Sequence, residues 1–148
     1  MRVRAAEEDD VAAMTELFLA AARAAWGFAG EEALGAMKPP VFRGRALVAE
    51  GDDGVIGFAV IAGCELDLLY THPRAWGGGA GRALLAAAEA EMREAGCAEA
   101  ALWTEERNAR PRRVYEAAGF RTDGEARERV WNGAPLRELR YRKPLAGG

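Results

Sequence analysis

Residues 65–85 read Glu65-Leu66-Asp67-Leu68-Leu69-Tyr70-Thr71-His72-Pro73-Arg74-Ala75-Trp76-Gly77-Gly78-Gly79-Ala80-Gly81-Arg82-Ala83-Leu84-Leu85, and the rest of the chain is organised around them. The first seven residues have the pattern of a strand. Pro73 breaks it, four glycines make a loop, and a helix runs on to about residue 95. Each ordered glycine loses roughly 0.5–1 kcal/mol relative to alanine in a regular element, so Gly77, Gly78, Gly79 and Gly81 are an expensive way to make a simple turn. A helix begins with unpaired N–H groups and the positive end of its dipole. A loop without Cβ atoms lets a phosphate reach those donors. Spacing excludes two familiar phosphate loops. The P-loop ends in Gly-Lys-Ser/Thr, whereas Gly81 is followed by Arg82-Ala83. In the dinucleotide fingerprint counted from Gly77 and Gly79, the third glycine would fall at Arg82.

What remains, a strand, a proline and then Trp76-Gly77-Gly78-Gly79-Ala80-Gly81, resembles motif A of the GCN5-related N-acetyltransferase (GNAT) superfamily. The core of that motif is Gln/Arg-x-x-Gly-x-Gly/Ala, and it cradles the pyrophosphate of coenzyme A. Here Trp76 takes the first position, and Gly78 stands where a basic or amide side chain is frequent. Both departures remove side-chain donors and leave most of the phosphate binding to the backbone. A second block, Asn108-Ala109-Arg110-Pro111-Arg112-Arg113-Val114-Tyr115-Glu116-Ala117-Ala118-Gly119-Phe120, resembles the superfamily's motif B, usually Asn-x-Arg-Ala-x-x-Phe-Tyr-x-x-x-Gly-Phe. Pro111 fits the first turn of a helix, where its missing N–H matters little, and Gly119 suits the helix end. The two blocks stand in the family's order, separated by one helix and one strand, and the resemblance runs from about residue 3 to residue 145.

Composition sets the outer bounds. A chain of 148 residues with 29% charged residues is expected to form one soluble domain, over residues 1–148. The net charge of −3 argues against nucleic acid as a partner. No apolar run reaches the roughly 20 residues of a membrane span, and the N-terminus has no secretory pattern; no membrane association and a cytoplasmic location are expected. Cys64 and Cys97 form no C-x-x-C pair and are expected as small buried thiols, and the single His72 leaves no zinc set, so no metal is expected.

Taken in order, a short strand from Val3 precedes an amphipathic helix over about residues 10–25, with Asp9 or Asp10 as its cap. Trp26 to Gly30 break that helix and form either a lid or apolar anchors, and a second helix spans residues 31–37 before Pro39-Pro40. Residues 45–50 and 55–62 form a hairpin, residues 65–71 continue the meander, and residues 98–104 form a strand parallel to 65–71 with a right-handed crossover. Residues 120–130 and 136–141 close the fold as an antiparallel pair, and the second of these is a candidate for pairing across a homodimer. The class is α/β (α+β). The resemblance implies a mixed, mostly antiparallel sheet of about seven strands, with a parallel pair splayed at its centre and about four helices on both faces.

Transfer of an acyl group from a thioester to an amine requires deprotonation of the amine, polarisation of the carbonyl and protonation of the leaving thiolate. A phenol near pKa 10 is matched to an alkyl thiol near 8.5, and the resemblance puts Tyr115 where family members keep a general-acid tyrosine. Glu65 and Asp67, two apart on a strand, point to one face; Glu65 is the first candidate base and Asp67 the second. The resemblance further implies backbone contacts from Leu69, Tyr70 and Thr71 to pantetheine, a contact from Asn108, a phosphate cradle at Trp76, Gly77, Gly78, Gly79, Ala80 and Gly81, and charge balance from Arg82, with Arg74, Arg112 and Arg113 in reserve. The expected activity is an acyl-CoA-dependent, most often acetyl-CoA-dependent, N-acyltransferase acting by direct attack of an amine in a ternary complex. The alternative is a coenzyme A-binding module without turnover. For the acceptor, a small-molecule or peptide amine, Glu31, Glu32, Glu65, Asp67, Glu105 and Glu106 suggest a cationic compound.

Overall fold

The computed structural model of the protein describes residues 1–32 and 44–145. Its strands are β1 (Arg2–Ala5), β2 (Arg45–Gly51), β3 (Gly54–Ala62), β4 (Glu65–Thr71), β5 (Glu99–Glu105), β6 (Arg121–Trp131) and β7 (Ala134–Pro144), and its helices are α1 (Val11–Ala25), α2 (Ala80–Glu94) and α3 (Ala109–Ala117). The strands form one sheet in the order β1-β2-β3-β4-β5-β7-β6. Every neighbouring pair is antiparallel except β4 and β5.

The apolar runs of β2 and β3 are continuous because the sheet is covered on both faces. On one face Met14, Leu17 and Phe18 of α1 pack against Val48, Phe58 and Val60. On the other, Leu84, Leu85, Ala88 and Met92 of α2 and Tyr115 of α3 pack against Leu47, Ala59, Ile61 and Leu102. Alternation along the strands thus divides each run between two cores. The buried Tyr141 ties α3 to the sheet: its hydroxyl donates to Glu116 at 2.6 Å and accepts from Arg112 Nε at 2.9 Å.

Two features of β4 prepare the site. The parallel ladder to β5 is confined to Glu65↔Ala101 and Leu66↔Leu102. Beyond it β5 stays with β7 as far as Glu105↔Glu138, and β4 stays with β3 as far as Gly57↔Thr71, so a wedge opens between their C-terminal halves. Asp67 is also an extra residue in the ladder, since Ile61 pairs with Leu66 and Val60 with Leu68. This bulge sends Leu66 into the α2 core and Leu68 towards the α1 core, although the two are two residues apart.

Several expectations are corrected. Cys64 and Cys97 are joined in a disulfide, with their Cα atoms 5.7 Å apart. A right-handed β-α-β unit returns the chain to the same end of the sheet. The residue before β4 therefore meets the chain leading into β5, and Ala101 N–H donates to the Cys64 carbonyl at 3.1 Å. Neither Asp9 nor Asp10 caps α1 with its side chain. The Asp10 carboxylate instead accepts from Glu7 N–H at 2.8 Å and from Arg4 at 2.8 and 3.0 Å, and the Arg4 guanidinium, with the Glu7 N–H, holds its carboxyl below the usual aspartate range. Among the described residues α1, α2 and α3 account for three of the about four expected helices. Glu31 and Glu32 are helical, and the rest of the predicted 31–37 helix lies outside those residues. Finally, β7 is flanked by β5 and β6, which leaves residues 136–141 no free edge to offer a second copy.

Candidate active site

The wedge between β4 and β5 opens into a cleft of about 820 Å³ that is lined from both faces of the sheet. The glycine loop stands at its α2 end. Gly77 and Gly79 have φ of +84° and +89°, a region costly for residues with a Cβ. No atom lies within 4 Å of where a Cβ would stand on either. These glycines are therefore required by backbone conformation, and the space before them is open. The first intrahelical bond of α2 runs from Ala83 N–H to the Gly79 carbonyl. The N–H groups of Ala80, Gly81 and Arg82 precede it and have no helical acceptor. All three residues line the cleft, as do Gly77 and Gly79.

Gly78 does not line the cleft, and its N–H donates to the Ala75 carbonyl at 3.1 Å; it shapes the loop. The Trp76 N–H is likewise used by Pro73, at 3.2 Å. The Trp76 side chain has a definite place: its indole N–H donates to the Thr71 carbonyl at 3.2 Å, and the Arg110 guanidinium of α3 stacks over its ring at 4.2 Å. A guanidinium of the neighbouring helix thus stands beside the loop. His72 accepts from Arg74 N–H at 3.2 Å, fixing the turn before the loop. Arg82 and Arg113 are exposed at the cleft, Arg74 is exposed away from it, and Arg112 is engaged by Tyr141 and by the Glu106 carbonyl.

Along β4 the bond from His72 N–H to the Ile56 carbonyl, 2.8 Å, fixes the alternation. The main chain of Tyr70 faces its β3 partner Phe58, and the N–H and C=O groups of Leu69 and Thr71 turn towards the wedge. The Tyr70 ring stands edge-on to Phe18 at 5.0 Å, on the α1 face. Burial pushes its hydroxyl far above the usual tyrosine range, helped by the charges of Glu138 and Asp67.

Tyr115 is 6% exposed, lies against Phe120 and Tyr141 at ring distances of 6.1 and 6.2 Å, and lines the cleft. Burial, and then proximity to Tyr70, push its hydroxyl well above the ordinary phenol range, so it holds its proton. Glu65, half-buried, and Asp67, exposed, both line the cleft; the bulge between Leu66 and Leu68 means that strict alternation is not what brings them there. Asn108 also lines the cleft and makes no side-chain cap to α3. Of the carboxylates suggested for an acceptor, Glu31, Glu32 and Glu106 are not in the lining. Glu105 is, but it is occupied by Arg107 at 2.9 and 3.0 Å and by the Arg107 and Arg137 N–H groups at 2.8 and 2.7 Å. Burial alone would raise its pKa; those donors outweigh it and hold the carboxyl below the usual glutamate range.

Apart from Trp26, which the sequence offered as part of a lid or an anchor, sequence reasoning did not find the residues on the α1 side of the cleft. Trp26, Trp103 and Trp131 line it with Arg127, Arg129 and Glu138. The only signal was the alternation Arg127-x-Arg129-x-Trp131 along one strand, which a charged, solvent-facing strand would share.

Residues 11–120 match the acetyltransferase (GNAT) family, and the chain belongs to that family. No functionally curated protein matches the sequence. Among solved structures the chain is similar to a ribosomal-protein-alanine N-acetyltransferase from Brucella melitensis, with 23% identity, TM-score 0.77 and coverage of 97% of this chain and 99% of the other. It is also similar to yncA from Salmonella typhimurium, solved with its cofactor acetyl-CoA, with 24% identity, TM-score 0.73 and coverage of 99% and 95%. A GCN5-related N-acetyltransferase from Rhodopseudomonas palustris gives 22% identity, TM-score 0.77 and coverage of 97% and 94%. At these identities the likeness is one of fold.

Proposed function

We propose that the chain, acting as one domain, is an N-acyltransferase that uses acetyl-CoA and transfers the acetyl group directly to a primary amine in a ternary complex. The observation that carries this is the convergence of the open glycine loop, the edge of β4 beyond its short ladder to β5 and the buried Tyr115 hydroxyl on one cleft. The residues fit coenzyme A. The N–H groups of Ala80, Gly81 and Arg82 can take a diphosphate, with Gly77 and Gly79 leaving room and Arg82 and Arg110 adding charge. Leu69 and Thr71 of β4, with Asn108 opposite, offer main-chain and amide groups for the pantetheine amides. The bound thioester supplies an activated acyl carbon.

The protein's own groups then handle the protons. Glu65, or Asp67, directly or through a water, takes the proton that leaves the amine. An N–H of β4 donates to the carbonyl oxygen where charge develops. As the new N–C bond forms and the C–S bond breaks, the Tyr115 hydroxyl protonates the departing sulfur and is reprotonated from solvent. Its raised pKa keeps it in the acid form for this purpose. Cytoplasmic action belongs to the same proposal. The Cys64–Cys97 bridge weighs against a reducing compartment, and trapping thiols at the moment of lysis decides the matter.

The test is release of free thiol from acetyl-CoA by a panel of amines. Tyr115→Phe is expected to lower kcat by about 10²-fold with little change in the KM for acetyl-CoA. Because the Tyr115 proton is held tightly, the wild-type rate should not fall between about pH 8 and 10 through loss of this group. Calorimetric binding of acetyl-CoA with no thiol release by any amine would favour the non-catalytic module instead.

A further inference from the structure

The donor half of the cleft accounts for the glycine loop, Tyr115 and Asn108; the half on the α1 face is lined by side chains that an acyl donor does not need. Arg127, Arg129 and Trp131 occupy alternate positions on β6 and all face the cleft, whereas Glu128 and Val130 between them do not. Trp131 packs against Trp26 at the end of α1, with ring centroids 4.6 Å apart, so this stripe lies on the face opposite the glycine loop. Glu138 of β7, 8% exposed, accepts from Arg127 Nε at 2.7 Å and from one terminal nitrogen of Arg129 at 3.3 Å. Arg127 is held on its other side by the ring of Trp103, 4.3 Å from its guanidinium.

The charges do not cancel. Two guanidinium groups share one carboxylate, leaving one positive charge at the β6 side, while Glu65 and Asp67 put negative charge on β4. Arg129, with a 54% exposed side chain and a single longer contact to Glu138, keeps most of its five N–H donors for a ligand, in the planar fork that suits a carboxylate. Trp103, on β5, stands between the two poles in the sheet order, with Arg127 and, at 5.8 Å, Arg140 over its ring, and Trp131 stands beside the arginines on β6. A purely cationic acceptor would meet a guanidinium at this side, so charge complementarity disfavours it.

Resting on the acyl-transfer proposal, we infer that the acceptor is a small zwitterion, an α-amino acid or close analogue with an apolar or aromatic body. Its amine faces Glu65 and Asp67, its carboxylate is held by Arg129 beside Arg127, and its body lies against Trp103 and Trp131. Glu138 is a positioning residue that sets the two arginines.

The test compares L-phenylalanine, L-methionine and L-tryptophan with their amides and with spermidine, in two readouts on the full chain. These are thiol release from acetyl-CoA, and quenching of tryptophan fluorescence by each compound in the presence of desulfo-CoA. At least one free acid is expected to exceed its amide by tenfold or more in both kcat/KM and affinity. Arg129→Gln should erase that ratio and Arg129→Lys restore part of it, while calorimetric affinity for acetyl-CoA stays within twofold of wild type. The inference is overturned if amides or spermidine bind and react as well as the acids, or if Arg129→Gln keeps the wild-type ratio. It is equally overturned if acetyl-CoA binds but none of the acids does. Failure to bind acetyl-CoA at all would bring down the acyl-transfer proposal and this inference with it.

Discussion

The two ends of the cleft are made of different materials. On the α2 face the site is mainly main chain, with the side chains of Tyr115 and Asn108 beside it: two glycines with positive φ, three N–H groups ahead of the first helical bond, and a strand edge left open by the short parallel ladder. On the α1 face it consists of side chains, four aromatic or basic groups from β5 and β6 and an acid from β7, locked together by ring stacking and ion pairs. A main-chain site suits a ligand part that never changes, because it survives any substitution that keeps the backbone path. A side-chain site can be rewritten residue by residue, which suits the variable partner of a transfer reaction.

The largest expected effect lies outside the cleft, at the closed end of the wedge between β4 and β5. The Cys64–Cys97 bridge closes a separation of 33 residues between the starts of β4 and β5; the loop-closure relation gives about 3.7 kcal/mol for such a loop. Cys97→Ala should lower unfolding stability by roughly that amount in a denaturant titration, without changing the preference of either end for its ligand. A shift in acetyl-CoA affinity larger than the shift in stability would mean that the ends are coupled through the bridge.

Next in size is Glu105, on the side-chain end. Its side chain is fully buried and accepts from Arg107 and from two main-chain N–H groups, so Glu105→Gln should cost about 2 kcal/mol near neutral pH. Its folded pKa lies below the unfolded value, about 4.3 for glutamate. The contribution is therefore complete above about pH 5 and lost as pH falls through that value towards the folded one. The gap between wild type and Glu105→Gln should shrink across that acid range. A gap that widened on acidification would show the sign to be wrong.

The smallest expected effect is at the main-chain end. Arg110 stacks on Trp76 and, in the proposed function, adds an accessory charge; Arg110→Ala should weaken acetyl-CoA by only about three- to fivefold, an effect on the order of 1 kcal/mol. If that one side chain removed binding altogether, the loop would not be a main-chain site.

The same contrast explains what could be read from sequence. Gly77, Gly79 and Gly81 follow a strand and open a helix within one stretch, and Tyr115 follows Asn108 at helical spacing, so the donor end is written in consecutive residues. The bridge between Cys64 and Cys97 has no signature in its spacing and depends on the crossover bringing two strand starts together. The bulge at Asp67 exists only as a register between two strands. Asp10 sits where a helix cap would, but Arg4 from β1 reaches it first. Arg127 and Arg129 are separated from Trp103 by more than twenty residues, and they share a cleft only because β7 returns between β5 and β6. Local chemistry is legible in the chain; chemistry assembled by strand order becomes legible with the sheet.

Amide nuclear magnetic resonance of the uniformly labelled protein, titrated in parallel with coenzyme A and with pantetheine, reaches the main-chain claim without passing through activity. The N–H signals of Gly77, Gly79, Ala80, Gly81 and Arg82 should shift strongly with coenzyme A and stay in place with pantetheine, while Leu69 and Thr71 respond to both. Coenzyme A binding that left those five amides unmoved, or moved them no more than pantetheine does, would contradict a diphosphate held by the glycine loop.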